Sequence, residues 1–294
     1  MISVVVISKD EEGLDDTLAA VAKQLDGLDE PGEIVVVDAS AGRLEHIRQH
    51  HGATVRWIDF QPPSGVHVTI PHQRNIGVRQ ARGDLIVFTD AGCLPSDGWL
   101  IRMSAALRLG ESAVAGTSRD ISGDIAFPSR LFTKVEKIGD VTYLGECPTL
   151  NFAFTRAVYD ELGGFDESFA YGSDVDFTWR LNDSGYRVRH VPDASIQHDY
   201  GTSRRQLRRS YIYGKARARL YRKHRSRRGD ILRDDPMVVA YPLFLIGLPL
   251  TLIFPLYPLL LLIPAWRNRS DGIIKVLVDH LWFGAGVLAE LAGR

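Results

Sequence analysis

An α/β fold built on a mostly parallel central sheet is predicted here, from three observations. Short apolar, β-branched runs recur at 2–7, 33–37, 55–58 and 84–88, the mark of strands buried on both faces. Stretches with helical spacing separate them, at 13–25, 42–50 and 71–82. Acidic residues stand just past three of the strand ends. Strand and helix in alternation give a layered sheet with parallel crossovers.

The first run leads straight from Met1 and ends in Ser8-Lys9-Asp10-Glu11, so no signal peptide is expected. The second ends at Asp38, followed by Ala39-Ser40, and the fourth at Asp90, followed by Ala91-Gly92-Cys93. Ligands of open α/β sheets gather beyond the carboxyl ends of the strands, so these three termini form the candidate site. Neither GxGxxG nor GxxxxGK[ST] occurs, which disfavours a dinucleotide site and a P-loop. Asp90 suits Mg²⁺ or Mn²⁺, which take oxygen ligands and bridge phosphates. Asp38 suits a base N–H or a ribose hydroxyl. Singly, each aspartate is more commonly a turn or cap residue; their joint placement favours a site.

Further along, 117–150 reads as irregular with short helical patches such as 129–138, ahead of a strand at 151–154. A helix is expected to start at Ser173 or Asp174, one of which caps it, and to run through Leu181, with Asp176 favouring its positive end. An aspartate there is placed to take a proton from a hydroxyl.

The whole chain of 294 residues balances 35 Lys+Arg against 36 Asp+Glu, but its parts do not. Residues 1–203 carry −12, residues 204–233 carry +12 and residues 234–294 carry −1. The composition excludes a disordered chain, a disulfide scaffold and a polytopic transporter. Two cysteines give a mild preference for a reducing compartment. The stretch 237–264 contains no charge and is expected to enter a membrane, as a span or, given its five prolines, a bent hairpin. A second apolar stretch, 273–292, reads equally as a span or an interfacial helix. The basic segment before the apolar run points to the cytoplasmic face and to anionic headgroups. No nucleic-acid partner is expected.

The order of the motifs resembles a family 2 inverting glycosyltransferase of GT-A fold. The blocks that carry the likeness are 4–11, 35–40, Arg74-Asn75-Ile76-Gly77, Asp90-Ala91-Gly92-Cys93, 163–167, 172–181 and His198. The resemblance covers about residues 1–200. It implies a nucleotide-sugar donor, with Asp38 at the base and Asp10 and Ser40 beside it. Arg74 and Asn75 would lie near the ribose or diphosphate. Asp90 stands at the first position of a DxD motif, His198 at a further metal or diphosphate position, and Asp174 at the catalytic base. Mg²⁺ or Mn²⁺ is the implied cofactor. Two departures stand out: Gly92 replaces the second DxD carboxylate, and Ser173 replaces the glutamate usually paired with the base. A (Q/R)xxRW signature is absent after residue 200, which favours single-sugar transfer over polymer extrusion.

The expected layout is therefore a GT-A catalytic domain at 1–203, a basic juxtamembrane helix at 204–236 and a membrane-associated tail at 237–294. The expected reaction is inverting transfer of one sugar to a membrane-linked acceptor, such as a polyprenol- or dolichol-linked saccharide or another glycolipid precursor, at the cytoplasmic side of the cell membrane. Three alternatives stay open: a polyprenyl-phosphate sugar synthase, a small-molecule or peptide glycosyltransferase, and a non-catalytic nucleotide-sugar-binding module. A nucleotidyltransferase is weaker, because Ser8–Glu11 is acidic where that class expects a Gly-rich basic loop.

Overall fold

A computed structural model describes residues 1–128, 134–200, 203–262 and 273–293. The chain divides into two compact units, Met1–Asp199 and Tyr200–Arg294.

In the first unit the predicted strands form as β1 (Ile2–Ser8), β2 (Gly32–Asp38), β3 (Val55–Asp59) and β4 (Leu85–Asp90). Helices α1 (Leu14–Asp26), α2 (Glu45–His51) and α3 (Ile70–Gln80) connect them. The rest comprises β5 (Cys93–Pro95), α4 (Trp99–Arg108), β6 (Ala113–Arg119), β7 (Ile125–Phe127), β8 (Val135–Ile138), β9 (Val141–Leu144), β10 (Asn151–Thr155), α5 (Arg156–Leu162), α6 (Ser173–Asp183) and β11 (Val188–His198). The described strands make one sheet in the order β3-β2-β1-β4-β10-β6-β11-β9-β8, with β5 on β11 and β7 on β6. The half from β3 to β4 is parallel as expected; β10 then runs antiparallel to both β4 and β6, so the sheet as a whole is mixed.

Each central strand is buried on both faces, which explains its unbroken apolar pattern. Val4, Val6 and Val36 pack toward α1 and α4, while Val5, Val35 and Phe88 pack into the opposite layer with Phe154, Phe165 and Phe177. Phe165 and Phe177 lie 4.7 Å apart and bring the 163–167 loop against the start of α6. Where helical patches were expected near 129–138, residues 135–138 form β8, an antiparallel hairpin with β9; residues 129–133 lie outside the described residues. Val135-Glu136-Lys137-Ile138 alternates too briefly for sequence pattern to separate strand from helix.

The second unit holds α7 (Ser203–Lys223), α8 (Ile231–Asp234), α9 (Met237–Ile246) and α10 (Ile273–Ala292). Helices α7 and α10 approach closely: a Cβ on Gly214 would meet the Phe283 carbonyl, and one on Gly286 the Tyr211 carbonyl. Part of the basic charge is answered inside this unit, by Arg217–Asp235 at 3.0 Å and Arg222–Glu290 at 3.3 Å.

The membrane-spanning helix expected at 237–264 does not form over the described residues 237–262. Among the described residues no helix is long and apolar enough to cross a membrane. The run breaks after α9 into short 3₁₀ turns, Leu248–Leu252 and Tyr257–Leu261. Prolines 249, 255 and 258 remove backbone donors at the breaks. A ten-residue helix rises about 15 Å, half of a bilayer core of about 30 Å. The second candidate is helical but carries Asp279, His280 and Glu290, which face its own unit: Ser210 lies 3.3 Å from Asp279, and Tyr241 2.6 Å from His280.

Burial lowers the pKa of His280 from 6.5 to about 4. Between those values the folded unit binds fewer protons than the unfolded chain, so its stability falls as pH drops through that window. The full loss would be about 3 kcal/mol, and about 2 kcal/mol once residual screening is allowed for. Urea unfolding of wild type and His280→Gln at pH 7 and pH 4.5 should show the difference between the two proteins shrinking at the lower pH.

Candidate functional site

The parallel register lines the strand termini up. Ser8 is level with Asp38, Ile7 with Asp90, and Asp38 with Asp59. Three carboxylates thus stand at the ends of β3, β2 and β4, with Ser8 ending β1 between the last two.

On the β2 side, Asp38 is 2% exposed. Its Oδ1 accepts hydrogen bonds from the Ser40 hydroxyl at 2.5 Å and the Ser40 amide at 3.2 Å. The same hydroxyl accepts from the Asp10 amide at 2.7 Å, so Asp10, Ser40 and Asp38 form one chain of contacts. Burial raises the Asp38 pKa; the Ser40 bonds oppose this, and Asp59 and Asp10 add to it. Arg43 donates to Asp10 at 2.6 Å and holds that carboxyl below its usual range. Beside Asp38 opens a cleft of about 300 Å³, lined by Arg48, Asp59 and Phe60 among others. Arg48 reaches Asp59 at 3.1 Å. Asp59 and Arg48 were not singled out in the sequence. The strand-end rule would have found Asp59 had the third strand been extended by one residue.

On the β4 side, Asp90, Arg74, Asp174 and His198 come together. Burial raises the Asp90 pKa; Arg74 and His198 pull it down and Asp174 pushes it further up. The Oδ1 atom of Asp90 is buried without a hydrogen-bond partner. His198 reaches this point because β11 pairs with β5 and sets it opposite Cys93, whose sulfur lies 3.5 Å from His198 Nδ1. Burial pushes the Cys93 thiol up to about 12, so it offers no thiolate. Arg74 is buried, donates to the Ser173 hydroxyl at 3.2 Å and lies over the Phe165 ring at 5.7 Å. Its Nε has no partner. A buried guanidinium with a spare donor suits a phosphate oxygen.

Helix α6 is capped by Gly172, in a left-handed conformation, and not by a side chain of Ser173 or Asp174. Ser173 is occupied by Arg74, and the Asp174 Oδ1 accepts the Val175 amide at 2.9 Å. Asp176 is fully buried and holds Arg180 at 2.9 Å, which ties α6 to the carbonyls of Leu162 and Gly164. Asn75, expected beside the ribose or diphosphate, has its amide fully committed within the protein. It donates to the Phe165 carbonyl and Glu167, each at 2.9 Å. It accepts from Tyr159 at 2.8 Å and the Phe165 amide at 2.9 Å. Its part is to position the 163–167 loop.

An unpartnered carboxylate oxygen flanked by a histidine is a fitting start for a hard divalent cation, with Asp90 and His198 as the residues that would hold it. A tighter three-group cluster, Asp15, His50 and His51, lies between α1 and α2, with its ligand atoms within 4.8 Å of one another. Both imidazoles there hydrogen-bond to one Asp15 oxygen, at 2.8 and 2.9 Å.

Two family models match the chain: Glycosyl transferase family 2 over residues 3–165, and Glycosyl transferase family group 2 over 131–282. Among relatives, the pre-mycofactocin glycosyltransferase of Mycobacterium tuberculosis is 28% identical over 195 residues, covering 59% of this chain and 39% of that protein. Glycosyltransferase AglE of Haloferax volcanii is 24% identical over 159 residues, covering 50% of each. The chain thus matches half or less of the length of these relatives. Among solved structures, the mannosyltransferase PcManGT from Pyrobaculum calidifontis, in complex with GDP-Man and Mn²⁺, aligns over 100% of this chain and 87% of that one. Its TM-score is 0.64 at 16% identity, a likeness of fold. TarS of S. aureus aligns over 75% of this chain and 43% of that one, with a TM-score of 0.52 at 16% identity.

Replacing Asn75 with alanine strands the Tyr159 hydroxyl and both backbone groups of Phe165. Chemical denaturation should report a loss of at least about 2 kcal/mol.

Proposed function

We propose that this chain, which belongs to glycosyl transferase family 2, transfers a single sugar with inversion from a nucleoside-diphosphate donor to a membrane-linked acceptor hydroxyl. The observation that carries the reading is the convergence of Asp90, Arg74, His198 and Asp174 at one sheet edge, next to the Asp38 cleft.

Asp38 accepts from the base or ribose, and Asp10 and Ser40 hold it in place. Arg74 turns its spare Nε donor to the diphosphate. Asp90 and His198 are the residues that would hold a divalent cation, which would supply charge compensation for the departing nucleoside diphosphate. Asp174 takes the proton from the acceptor hydroxyl while that oxygen attacks the anomeric carbon from the face opposite the leaving group. One displacement inverts the configuration. General-base assistance of this kind contributes about 10²–10⁴-fold.

The second unit suggests how a lipid-linked acceptor is met. The later part of its apolar run lies open to solvent, with Leu252 89% and Ile253 85% exposed. The run follows the +12 segment 204–233. Shallow insertion beside anionic headgroups matches both features, and the cytoplasmic face of a membrane is the side this reading assigns.

Asp174→Asn should lower turnover on a hydroxyl acceptor by about 10²–10⁴-fold. Nucleoside-diphosphate binding, followed by thermal shift with and without Mn²⁺, should stay unchanged. Turnover within a few-fold of wild type would remove Asp174 from the role, and would point to an acceptor already ionised, such as a lipid phosphate. Flotation with anionic vesicles tests the second unit: wild type should co-float, and Leu252→Asp with Ile253→Asp should reduce partition by about tenfold or more.

A further inference from the structure

The second position of the DxD motif is Gly92, and the fold explains the glycine. Its backbone has φ +82°, the left-handed region that a side chain enters at a cost of roughly 1–2 kcal/mol. It also faces Gly13 across a narrow gap, where a Cβ on Gly13 would lie 3.0 Å from the Gly92 Cα. Thr17 locks the two loops together, since its hydroxyl accepts the Gly92 amide and donates to the Gly13 carbonyl, both at 3.0 Å.

The space that this pair of glycines opens is filled by a carboxylate from elsewhere. The Glu11 carboxyl carbon lies 3.6 Å, and its Oε1 3.7 Å, from the point where a side chain at position 92 would begin. A contact of 3.4 Å from the Gly13 amide holds that oxygen only weakly. Two residues before Gly92, the Oδ1 of Asp90 is buried and without a hydrogen-bond partner.

We propose that Glu11, reaching across from the β1–α1 loop, supplies the second carboxylate toward the divalent cation of the donor site, in place of the side chain that Gly92 lacks. The inference rests on the glycosyl-transfer reading of that site. A glutamate on a separate loop replaces an aspartate on the same turn, and the glycine is what lets it approach. Hard divalent cations bind through oxygen and keep several waters, so a flexible second carboxylate from a neighbouring loop meets their demand.

The test is Mn²⁺ affinity, measured on the full chain by the loss of the free-ion electron paramagnetic resonance signal, with nucleoside diphosphate present. Glu11→Gln should weaken Mn²⁺ binding by tenfold or more while leaving nucleoside-diphosphate affinity in chelator unchanged. Gly92→Asp added to Glu11→Gln should recover part of the loss, because aspartate tolerates the left-handed region better than most residues. Asp90→Asn is the control and should abolish binding. Glu11 is exposed, so its variant should melt with wild type. Loss of Mn²⁺ in Asp90→Asn with wild-type affinity in Glu11→Gln overturns the role of Glu11 and leaves the donor-site reading standing. Wild-type chain that binds neither Mn²⁺ nor any nucleoside diphosphate overturns both.

Discussion

Because β1 is hydrogen-bonded in parallel to both β2 and β4, Ser8 stands level with Asp38 and Ile7 with Asp90. Everything at the site depends on that register. A slip of one residue in either pairing would turn the terminal carboxylates to the other face. The apolar strands prevent the slip, since Val4, Val5, Val6, Val35 and Val36 are all buried and fill both layers. The hydrophobic effect thus sets the chemistry: packing against α1 and α3 fixes where the carboxylates fall.

Burial has a second consequence. Asp38 and Asp90 are both less acidic than a free aspartate because they are desolvated, and each is relieved by a different device. Asp38 is served by two hydrogen bonds from Ser40. Asp90 is served by the nearby charges of Arg74 and His198 and keeps one oxygen unpartnered. The first arrangement fixes one carboxylate oxygen within the protein and suits a binding wall. The second is incomplete, and so has capacity left for a ligand.

The sequence made the parallel half of the sheet legible, because buried strands write themselves as unbroken β-branched runs. It also showed Asp38, Asp90 and Asp174, since residues past strand ends and at helix starts need no tertiary information to find. Asn75 was expected, with Arg74, near the ribose or diphosphate, and its contacts with the 163–167 loop were not foreseen. Its partners lie 84 to 92 residues away, and no local pattern encodes them. Asp59 was missed because the apolar run stops one residue short of it. The tail misled for a different reason: hydropathy sums over a window, whereas a helix fails at individual prolines, and α9 ends after ten residues. The β8–β9 hairpin escaped because four residues are too few for a period to show.

The exposed apolar run bears on how the protein behaves in a tube. Leu252, Ile253 and Phe254, with Leu256, Leu259 and Leu260 close behind, leave a larger oily patch than a lone soluble surface usually tolerates. Deprived of an amphiphile, such a patch finds the same patch on another molecule. The particle size in plain buffer would therefore rise with concentration and fall when detergent is added, whatever the enzyme's working stoichiometry.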